Sequence, residues 1–316
     1  MARLLFVGID YYAYSRQIRD TFRSLGHDCD YRPIEDAGFL SKSFKKLAPA
    51  AYRRRLDAYH RSIVEGSAGT PYDVVFFLQV HHMAPANMER LRALHPEARF
   101  VLYNWDSLKT HDYRPWLGFF DRAFTFDPVD AETLGIGHLP LFAIRPFFEI
   151  DRERPKDFDL YFVGAIGTMH RFDALARLHA FCEAQGLRLK LHLKCSPVIR
   201  FQLLRTGRRL PGITLRSLSF EEIIDLMERS EGVFDFANHR QSGYTMRFIE
   251  NMCADKKIVT ENARVLDEDF YRPDRFLVTD GADFSGMPDF LRTPVASALE
   301  TERFSLESWS RTILEG

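Results

Sequence analysis

Short apolar runs alternate with longer helix-like stretches along the first half of the chain. Runs rich in β-branched and aromatic residues predict buried strands at 3–9, 73–80, 99–104, 122–127 and 136–143. Helix-like stretches lie between them at 15–25, 51–65 and 85–94. Continuous apolar strands joined by helices are typical of a parallel sheet that is covered on both faces. This half is therefore predicted to be a doubly wound α/β domain.

Prolines and charges interrupt the pattern at 144–159, which predicts a linker, and the pattern then begins again. Further strands are predicted at 160–167, 187–194, 212–217, 232–237, 256–261 and 276–279, with helices at 171–185, 219–230 and 243–254. Ser219 followed by Glu222 is a capping-box pattern that supports the second of these helices.

The predicted fold class is α/β, with two Rossmann-like doubly wound domains. The first domain is expected over 1–150 and the second over 151–300, with a helical segment at 301–316 that packs across the boundary. Ligands of such domains bind at the carboxyl ends of the strands, so the two domains are expected to face a cleft there.

Composition and charge exclude several classes of protein. The chain has 316 residues, 46% hydrophobic and 28% charged, and a formal net charge of -1, which does not favour nucleic-acid binding. Its cysteines show no C-x-x-C spacing and predict neither zinc nor disulfides: Cys29, Cys182, Cys195 and Cys253. The first residues do not resemble a secretory signal, and no apolar run approaches the roughly 20 residues of a membrane span. A cytoplasmic protein is expected.

Three D-x-D triplets, at 28–30, 157–159 and 267–269, match a metal-binding pattern only superficially. They fall at a strand start, in the predicted linker and in a charged loop. We interpret all three as structural and expect no essential metal.

Gly164 and Gly167 stand between a predicted strand and a predicted helix in "FVGAIGTMHR". Backbone amides at such a helix start can hold phosphate, although glycines that only make the turn are the alternative. Arg171 would then pair with a diphosphate, or be an ordinary solvated arginine. Lys194, at the carboxyl end of the next strand, is a further candidate against the alternative of an exposed lysine. The spacing is not G-x-G-x-x-G, so no nicotinamide cofactor is expected.

A polar loop at 238–242 follows another predicted core strand and leads into a helix. Gly243 allows close backbone approach, and the amides of 243–245 would face a phosphate at the helix start. Arg247 and Glu250 lie three residues apart on neighbouring positions of one helix face. They form either a weak salt bridge or a site in which the carboxylate accepts the hydroxyls of a ribose.

The stretch "GYTMRFIENMCADKKIVTEN" resembles the C-terminal signature of GT-B glycosyltransferases. Together with "QSGYTMRFIE", the segments "YNWDSL" and "FDRAFTFDPVDAETLGIGHLPLFA" are similar to bacterial glycosyltransferases that build lipopolysaccharide or capsular polysaccharide. The resemblance implies an enzyme whose co-substrate is a nucleotide-sugar and whose acceptor is a saccharide or glycolipid, and we expect it to be metal-independent. It also implies work at the cytoplasmic face of the membrane.

The resemblance assigns roles to the residues of this loop and helix. It implies that Glu250 binds the ribose of the donor. From its place on the helix after the loop, Arg247 is expected to face phosphate. The loop would contact the diphosphate and the donor sugar through Gln241, Ser242, Gly243 and Thr245. Many members place an acidic residue where this chain has Ser242, which leaves the donor sugar open.

Acceptor and catalytic groups are expected on loops after the strands of the first half. The catalytic candidates are Asp10, His81 and Asp106, and the acceptor-side candidates are Tyr11, His82 and Ser107. An inverting transferase needs a general base at the acceptor hydroxyl, whereas a retaining one does not. The histidines could equally be structural, and Asp106 could cap a following helix. A nucleotide-sugar epimerase or a non-catalytic binding module are the alternative functions.

Overall fold

The computed structural model describes residues 1–9, 14–35, 48–80, 83–236 and 241–315. They form two compact units. Unit 1 comprises Met1–Leu141, the segment His239–Gly243, of which 241–243 are described, and Phe304–Gly316. Unit 2 comprises Phe142–Asn238 and Tyr244–Arg303.

Each unit alternates strands and helices. The strands are β1 (Arg3–Gly8), β2 (Asp28–Pro33), β3 (Val74–Leu78), β4 (Arg99–Asn104), β5 (Arg122–Thr125), β6 (Gly137–His138), β7 (Phe158–Ile166), β8 (Leu189–Cys195), β9 (Ile213–Thr214), β10 (Ser230–Asp235), β11 (Lys257–Thr260) and β12 (Phe276–Val278). The α-helices are α1 (Tyr14–Ser24), α2 (Pro49–Ser67), α3 (Pro85–Leu94), α4 (Pro128–Leu134), α5 (Met169–Ala184), α6 (Pro197–Arg205), α7 (Phe220–Glu228), α8 (Met246–Cys253), α9 (Met287–Arg292) and α10 (Leu306–Glu315).

Unit 1 is built on a six-stranded parallel sheet in the order β2-β1-β3-β4-β5-β6. Successive residues of a strand point to opposite faces, so the continuous apolar runs of β3 and β4 fill two cores. Phe77 and Leu102 belong to the core that includes helix residues of α2 and α3. On the other face, Trp309 of α10 meets the rings of Phe76 and Tyr103 at centroid distances of 5.9 and 4.9 Å.

Unit 2 has a second six-stranded parallel sheet, in the order β12-β11-β10-β7-β8-β9. Phe162 of β7 and Phe234 of β10 pack with Leu175 and Leu178 of α5 in one hydrophobic core. The predicted fold class is confirmed, because both units are parallel sheets connected by helices. No helix in the described ranges is long and apolar enough to cross a membrane.

Two predicted strands are much shorter in the structure, and helices α4, α6 and α9 were not predicted. The strands expected at 136–143 and 212–217 are reduced to the two-residue β6 and β9. Pro140 has no N–H for a strand ladder, and Gly212 has a φ of +78°, so neither run can continue as a regular strand. Helix α6 was not predicted, because its apolar residues do not lie on a single face.

Candidate functional site

Asp235 is the last residue of β10 and lies at the carboxyl edge of the sheet of unit 2. The carboxylate accepts hydrogen bonds from the hydroxyls of Thr245, at 2.7 Å, and Thr260, at 3.0 Å. Thr245 is also the N-cap of α8 and accepts the Phe248 N–H at 3.0 Å. Asp235 therefore ties β10 to the end of β11 and to the start of α8, in the way that buried polar groups require.

Burial sets the protonation of this carboxyl group. Asp235 is 4% exposed, and burial raises its pKa above the ordinary value. The two threonine hydroxyls and the positive charges of Arg171 and Arg247 oppose this shift without cancelling it. The group is thus a carboxyl held among hydroxyl donors with two arginines nearby.

Arg171 of α5 lies beside this carboxyl group between two aromatic rings. Its guanidinium carbon is 5.4 Å from the centre of the Phe162 ring and 5.0 Å from that of Phe236. Burial lowers the pKa of the guanidinium, while the charges of Asp235 and Glu261 raise it. Its Nε is buried and has no hydrogen-bond partner among the described residues. A desolvated cation with a free donor is suited to an anionic ligand.

Gly164 makes room for this arginine. The residue lies within β7 rather than in the turn after it, and a Cβ there would be 2.7 Å from the Phe162 ring and 3.4 Å from a guanidinium nitrogen of Arg171. Gly167 follows the strand, and a Cβ there would meet no atom within 4 Å. Lys194, predicted to contact phosphate, donates to the Ser217 hydroxyl at 2.6 Å.

Arg247 and Glu250 form an ion pair on α8. The guanidinium nitrogen is 2.7 Å from the carboxylate oxygen, and Glu250 is 2% exposed. Asn251 donates to the Arg247 carbonyl and accepts the Tyr161 hydroxyl, both at 2.8 Å. The salt bridge is therefore present, and its carboxylate is buried rather than exposed as the sequence pattern suggested. The role of Glu250 toward ribose stays a prediction.

The residues before α8 belong to unit 1 and contact Asp127 there. Asp127 is the N-cap of α4, and it accepts the Ser242 N–H at 2.6 Å and the Ser242 hydroxyl. Burial raises the pKa of Asp127, but hydrogen bonds from Ser242 and from the N–H groups of Asp130 and Gly243 outweigh it and leave the pKa below its ordinary value. Ser242, which was predicted to contact the nucleotide-sugar, thus forms hydrogen bonds with the Asp127 carboxylate of the protein itself.

The backbone of Gly243 lies close to Phe126, another residue of unit 1. A Cβ on Gly243 would lie 2.5 Å from the carbonyl oxygen of Phe126 and 2.7 Å from its ring. Glycine is needed here because of this contact. Gln241, the other predicted member of the loop, is half-buried.

Among the predicted catalytic residues of unit 1, Asp106 is the one whose surroundings the structure describes. Asp10, Tyr11, His81 and His82 lie outside the described residues. Asp106 accepts the side-chain amide of Gln79 at 2.7 Å, and its carbonyl accepts the Asn104 side chain. The following residues form a turn, in which the Ser107 carbonyl accepts the N–H groups of Thr110 and His111. Asp106 therefore does not cap a helix, and Ser107 is buried.

Gln79 has an unusual backbone at the end of the central strands. Its φ is 61°, in the left-handed region that non-glycine residues rarely adopt, and it is 3% exposed. Its N–H donates to the Tyr103 carbonyl at 2.9 Å. Strained residues of this kind cluster at functional sites. The side chain of Gln79 fixes one oxygen of Asp106.

The sequence prediction missed Asp235, Thr260, Gln79 and Asp127. Asp235 and Gln79 are single polar residues at the ends of apolar runs, "GVFDF" and "VVFFLQ", and that position was the available signal. Thr260 and Asp127 gave no comparable signal, because threonine is common in strands and Asp127 stands before a proline at a helix start.

Several solved structures align with this chain over nearly its whole length. An α-glucosyltransferase in complex with UDP and a 13-mer DNA aligns with a TM-score of 0.61 at 12% identity, over 99% of this chain and 94% of its own. AviGT4, a glycosyltransferase involved in avilamycin A biosynthesis, aligns with a TM-score of 0.61 at 15% identity, over 100% and 96%. A UDP-GlcNAc 2-epimerase from Neisseria meningitidis bound to UDP-GlcNAc aligns with a TM-score of 0.59 at 10% identity, over 100% and 99%.

These likenesses show that the chain has the GT-B fold. Glycosyltransferases and UDP-GlcNAc 2-epimerases share this fold. No protein-family model and no curated protein matches the sequence. At such identities the likeness is one of architecture, and it does not choose between the two activities.

Proposed function

We propose that this protein is a glycosyltransferase that moves a sugar from a nucleotide-sugar to a saccharide or glycolipid acceptor. The observation that carries the proposal is Arg171, a half-buried guanidinium with a free Nε among the strand ends of unit 2. A diphosphate supplies the acceptor atoms that this donor lacks, and a guanidinium fork matches phosphate oxygens. Carboxyl ends of parallel strands are where this class of fold binds nucleotides.

The donor would be a nucleoside diphosphate sugar held by unit 2. The diphosphate would contact Arg171 and the start of α8, where Thr245 is the N-cap. Gly164, Gly167 and Lys194 complete the proposed donor side in unit 2, and the donor contacts of the loop 241–243 stay a prediction. Solved structures with the same fold contain UDP or UDP-GlcNAc, which makes a uridine nucleotide the first donor to test.

Glu250 is proposed to accept the ribose hydroxyls. The carboxylate is already paired with Arg247, so ribose would share it with the guanidinium or displace that ion pair. A carboxylate can accept several hydrogen bonds at once, which allows such sharing. Arg247 would meanwhile keep its positive charge near the diphosphate.

Transfer forms a bond between the donor anomeric carbon and an acceptor oxygen while the bond to the diphosphate breaks. Positive charge from Arg171 and Arg247 would stabilise the departing diphosphate, so the proposed mechanism needs no metal. Asp106, with one oxygen fixed by Gln79, is proposed to take the acceptor proton if the reaction inverts configuration. Asp10 and His81 remain alternative bases, with Tyr11, His82 and Ser107 as acceptor contacts.

The acceptor is proposed to belong to bacterial cell-surface polysaccharide or glycolipid synthesis. This part of the proposal rests on the sequence resemblance of the segments 103–108 and 120–143. Such acceptors are assembled from the cytoplasmic side, where the enzyme would work.

An epimerase of the same fold is the second candidate, since the N. meningitidis 2-epimerase matches the chain over its full length. Product analysis separates the two activities. Release of nucleoside diphosphate only in the presence of a glycan acceptor supports transfer. An isomerised free nucleotide-sugar without acceptor supports epimerisation and overturns the proposal.

The donor site is tested by titrating a panel of nucleoside diphosphates by calorimetry. We expect UDP to bind wild type and the Arg171→Met variant to bind it about ten- to a hundredfold more weakly, because a charge-assisted hydrogen bond is lost. Arg177→Met is the matched control, since Arg177 lies on the same helix and is exposed. Equal losses in both variants, or no binding of any nucleotide, would contradict the donor site.

The same titration tests Glu250 when UDP is compared with 2′-deoxy-UDP. Wild type should prefer the ribose form, and Glu250→Gln should reduce that preference. The glutamine keeps the shape of the side chain, whereas alanine would leave Arg247 as an unpaired cation. An unchanged preference would remove Glu250 from the ribose site while leaving the Arg171 result intact.

A further inference from the structure

One part of unit 2 has a charge unlike that of the whole chain. Between Glu183 and Glu221 there is no aspartate or glutamate, although the net charge of the protein is -1. The same interval contains eight basic residues: Arg188, Lys190, Lys194, Arg200, Arg205, Arg208, Arg209 and Arg216. Helix α6 and the turn after it lie in the middle of this interval.

Helix α6 is apolar on two opposite faces. Leu203 is buried and Ile199 partly buried in the core of unit 2, four residues apart as one helix face requires. Val198, Phe201 and Leu204 are 74, 66 and 70% exposed. Each step of three residues turns the helix by about 300°, so these three side chains cover an arc of roughly 120° opposite the buried face. Packing within unit 2 does not explain this exposed stripe.

Three exposed arginines lie beside the stripe. Arg200, Arg205 and Arg209 have no ion pair with any described residue. Other arginines of the interval are paired, as in Arg208 with Asp173 and Arg216 with Glu222. The arginines of the interval that have no ion pair with a described residue therefore lie on α6 and in the turn after it.

We propose that the α6 surface, formed by Val198, Phe201 and Leu204 with Arg200, Arg205 and Arg209, docks on an anionic lipid surface. Apolar side chains would enter the interface between headgroups and acyl chains while the guanidinium groups bind anionic headgroups. Three apolar side chains expose on the order of a few hundred Å². A stable protein complex buries about 1,000 Å² or more, so a lipid surface is the better match for so small a patch. This inference stands independently of the proposed enzyme activity.

The test is sedimentation of the full chain with vesicles of phosphatidylcholine alone or mixed with phosphatidylglycerol. We expect the mixed vesicles to bind the protein and added salt to weaken binding. Arg200→Glu with Arg205→Glu should reduce partitioning by at least about 25-fold, since each arginine near an anionic surface contributes about fivefold. Phe201→Gln with Leu204→Gln should reduce it by about tenfold or more.

Matched controls distinguish a local surface from general charge or hydrophobicity. Arg90→Glu with Arg311→Glu makes the same change in net charge on exposed arginines of unit 1, and Leu266→Gln removes an exposed leucine of unit 2 that is 49% exposed. Both controls should bind vesicles as wild type does. Melting curves check that every variant folds. Equal binding to the two kinds of vesicle, equal losses in the controls, or self-association through the same residues without vesicle binding would overturn the proposal.

Discussion

The carboxyl edges of the two sheets each carry a carboxyl group, and the two groups differ in burial and in hydrogen bonding. In unit 2, Asp235 is buried, accepts two hydroxyl hydrogen bonds and lies near two arginines. In unit 1, Asp106 is half-buried, and its carboxylate accepts the amide of Gln79. Similar parallel topologies therefore give one carboxyl group that is enclosed by its donors and one that solvent can reach.

This difference indicates a division of chemical roles. A carboxyl group whose oxygens both accept threonine hydroxyls holds the frame of a site, while Arg171 beside it keeps a buried Nε that has no partner among the described residues. A half-exposed carboxylate with one oxygen fixed is oriented and still open to a hydroxyl proton. In the proposed function, unit 2 would bind the phosphorylated donor and the carboxylate of unit 1 would take the proton.

Removing each carboxyl group should have very different consequences for stability. Asp235→Ala should lower the free energy of unfolding by about 2–4 kcal/mol, because it leaves the hydroxyls of Thr245 and Thr260 without their acceptor in a dry site. Asp106→Ala should cost about 1 kcal/mol, since water can take the place of a half-exposed side chain. Urea denaturation of both variants measures the difference.

Equal losses of unfolding free energy in the two variants would contradict the difference between Asp235 and Asp106. A small loss in Asp235→Ala would mean that the carboxyl group does not hold β10, β11 and α8 together. A large loss in Asp106→Ala would make that residue structural rather than open to substrate.

The pH dependence of stability should separate Asp235 from Asp127, a buried carboxyl group of unit 1. The pKa of Asp127 is lowered, so its contribution is present above the unfolded value of about 3.9 and is lost as pH falls. The pKa of Asp235 is raised, so the folded state holds its proton longer. Its contribution is greatest below about pH 3.9 and declines as pH rises through the folded pKa.

Asparagine variants turn this contrast into a measurement. From about pH 3 to about pH 7, Asp127→Asn should become more destabilising relative to wild type, and Asp235→Asn less so, by about 1.4 kcal/mol for each unit of pKa difference. Urea denaturation at several pH values gives both slopes. Slopes of the same sign would show that the two carboxyl groups do not differ in this way.

The sequence was sufficient to predict the fold class, because the strands of both sheets are continuous apolar runs. Runs such as 73–80 and 232–237 need no tertiary information to be recognised. Helix α6 was missed for the opposite reason. Its apolar residues point both into the core and into solvent, so they produce no single amphipathic face.

The candidate site was predictable only in part. The sequence singled out Arg171, Thr245 and Arg247, which the structure brings near Asp235. It could not show that Ser242 bonds to Asp127, 115 residues earlier in the chain. Contacts between residues so distant in sequence depend on how strands are ordered, which local patterns do not determine.

The smallest predicted effect concerns the backbone of Gln79. Because its φ is 61°, Gln79→Gly should be more stable than Gln79→Ala by about 1 kcal/mol, although both lose the same hydrogen bond to Asp106. Gln17, exposed in α1, is the matched control, and there alanine should be more stable than glycine by a similar amount.

Turnover adds a readout that a structural role alone would not change. If Gln79 positions Asp106 as a base, both Gln79 variants should lower kcat about tenfold and move its pH profile, while nucleotide affinity stays as in wild type. Both Gln17 variants should leave kcat unchanged. Alanine more stable than glycine at position 79 would contradict the strained backbone, and an unchanged pH profile would show that the open carboxylate of unit 1 does not depend on Gln79.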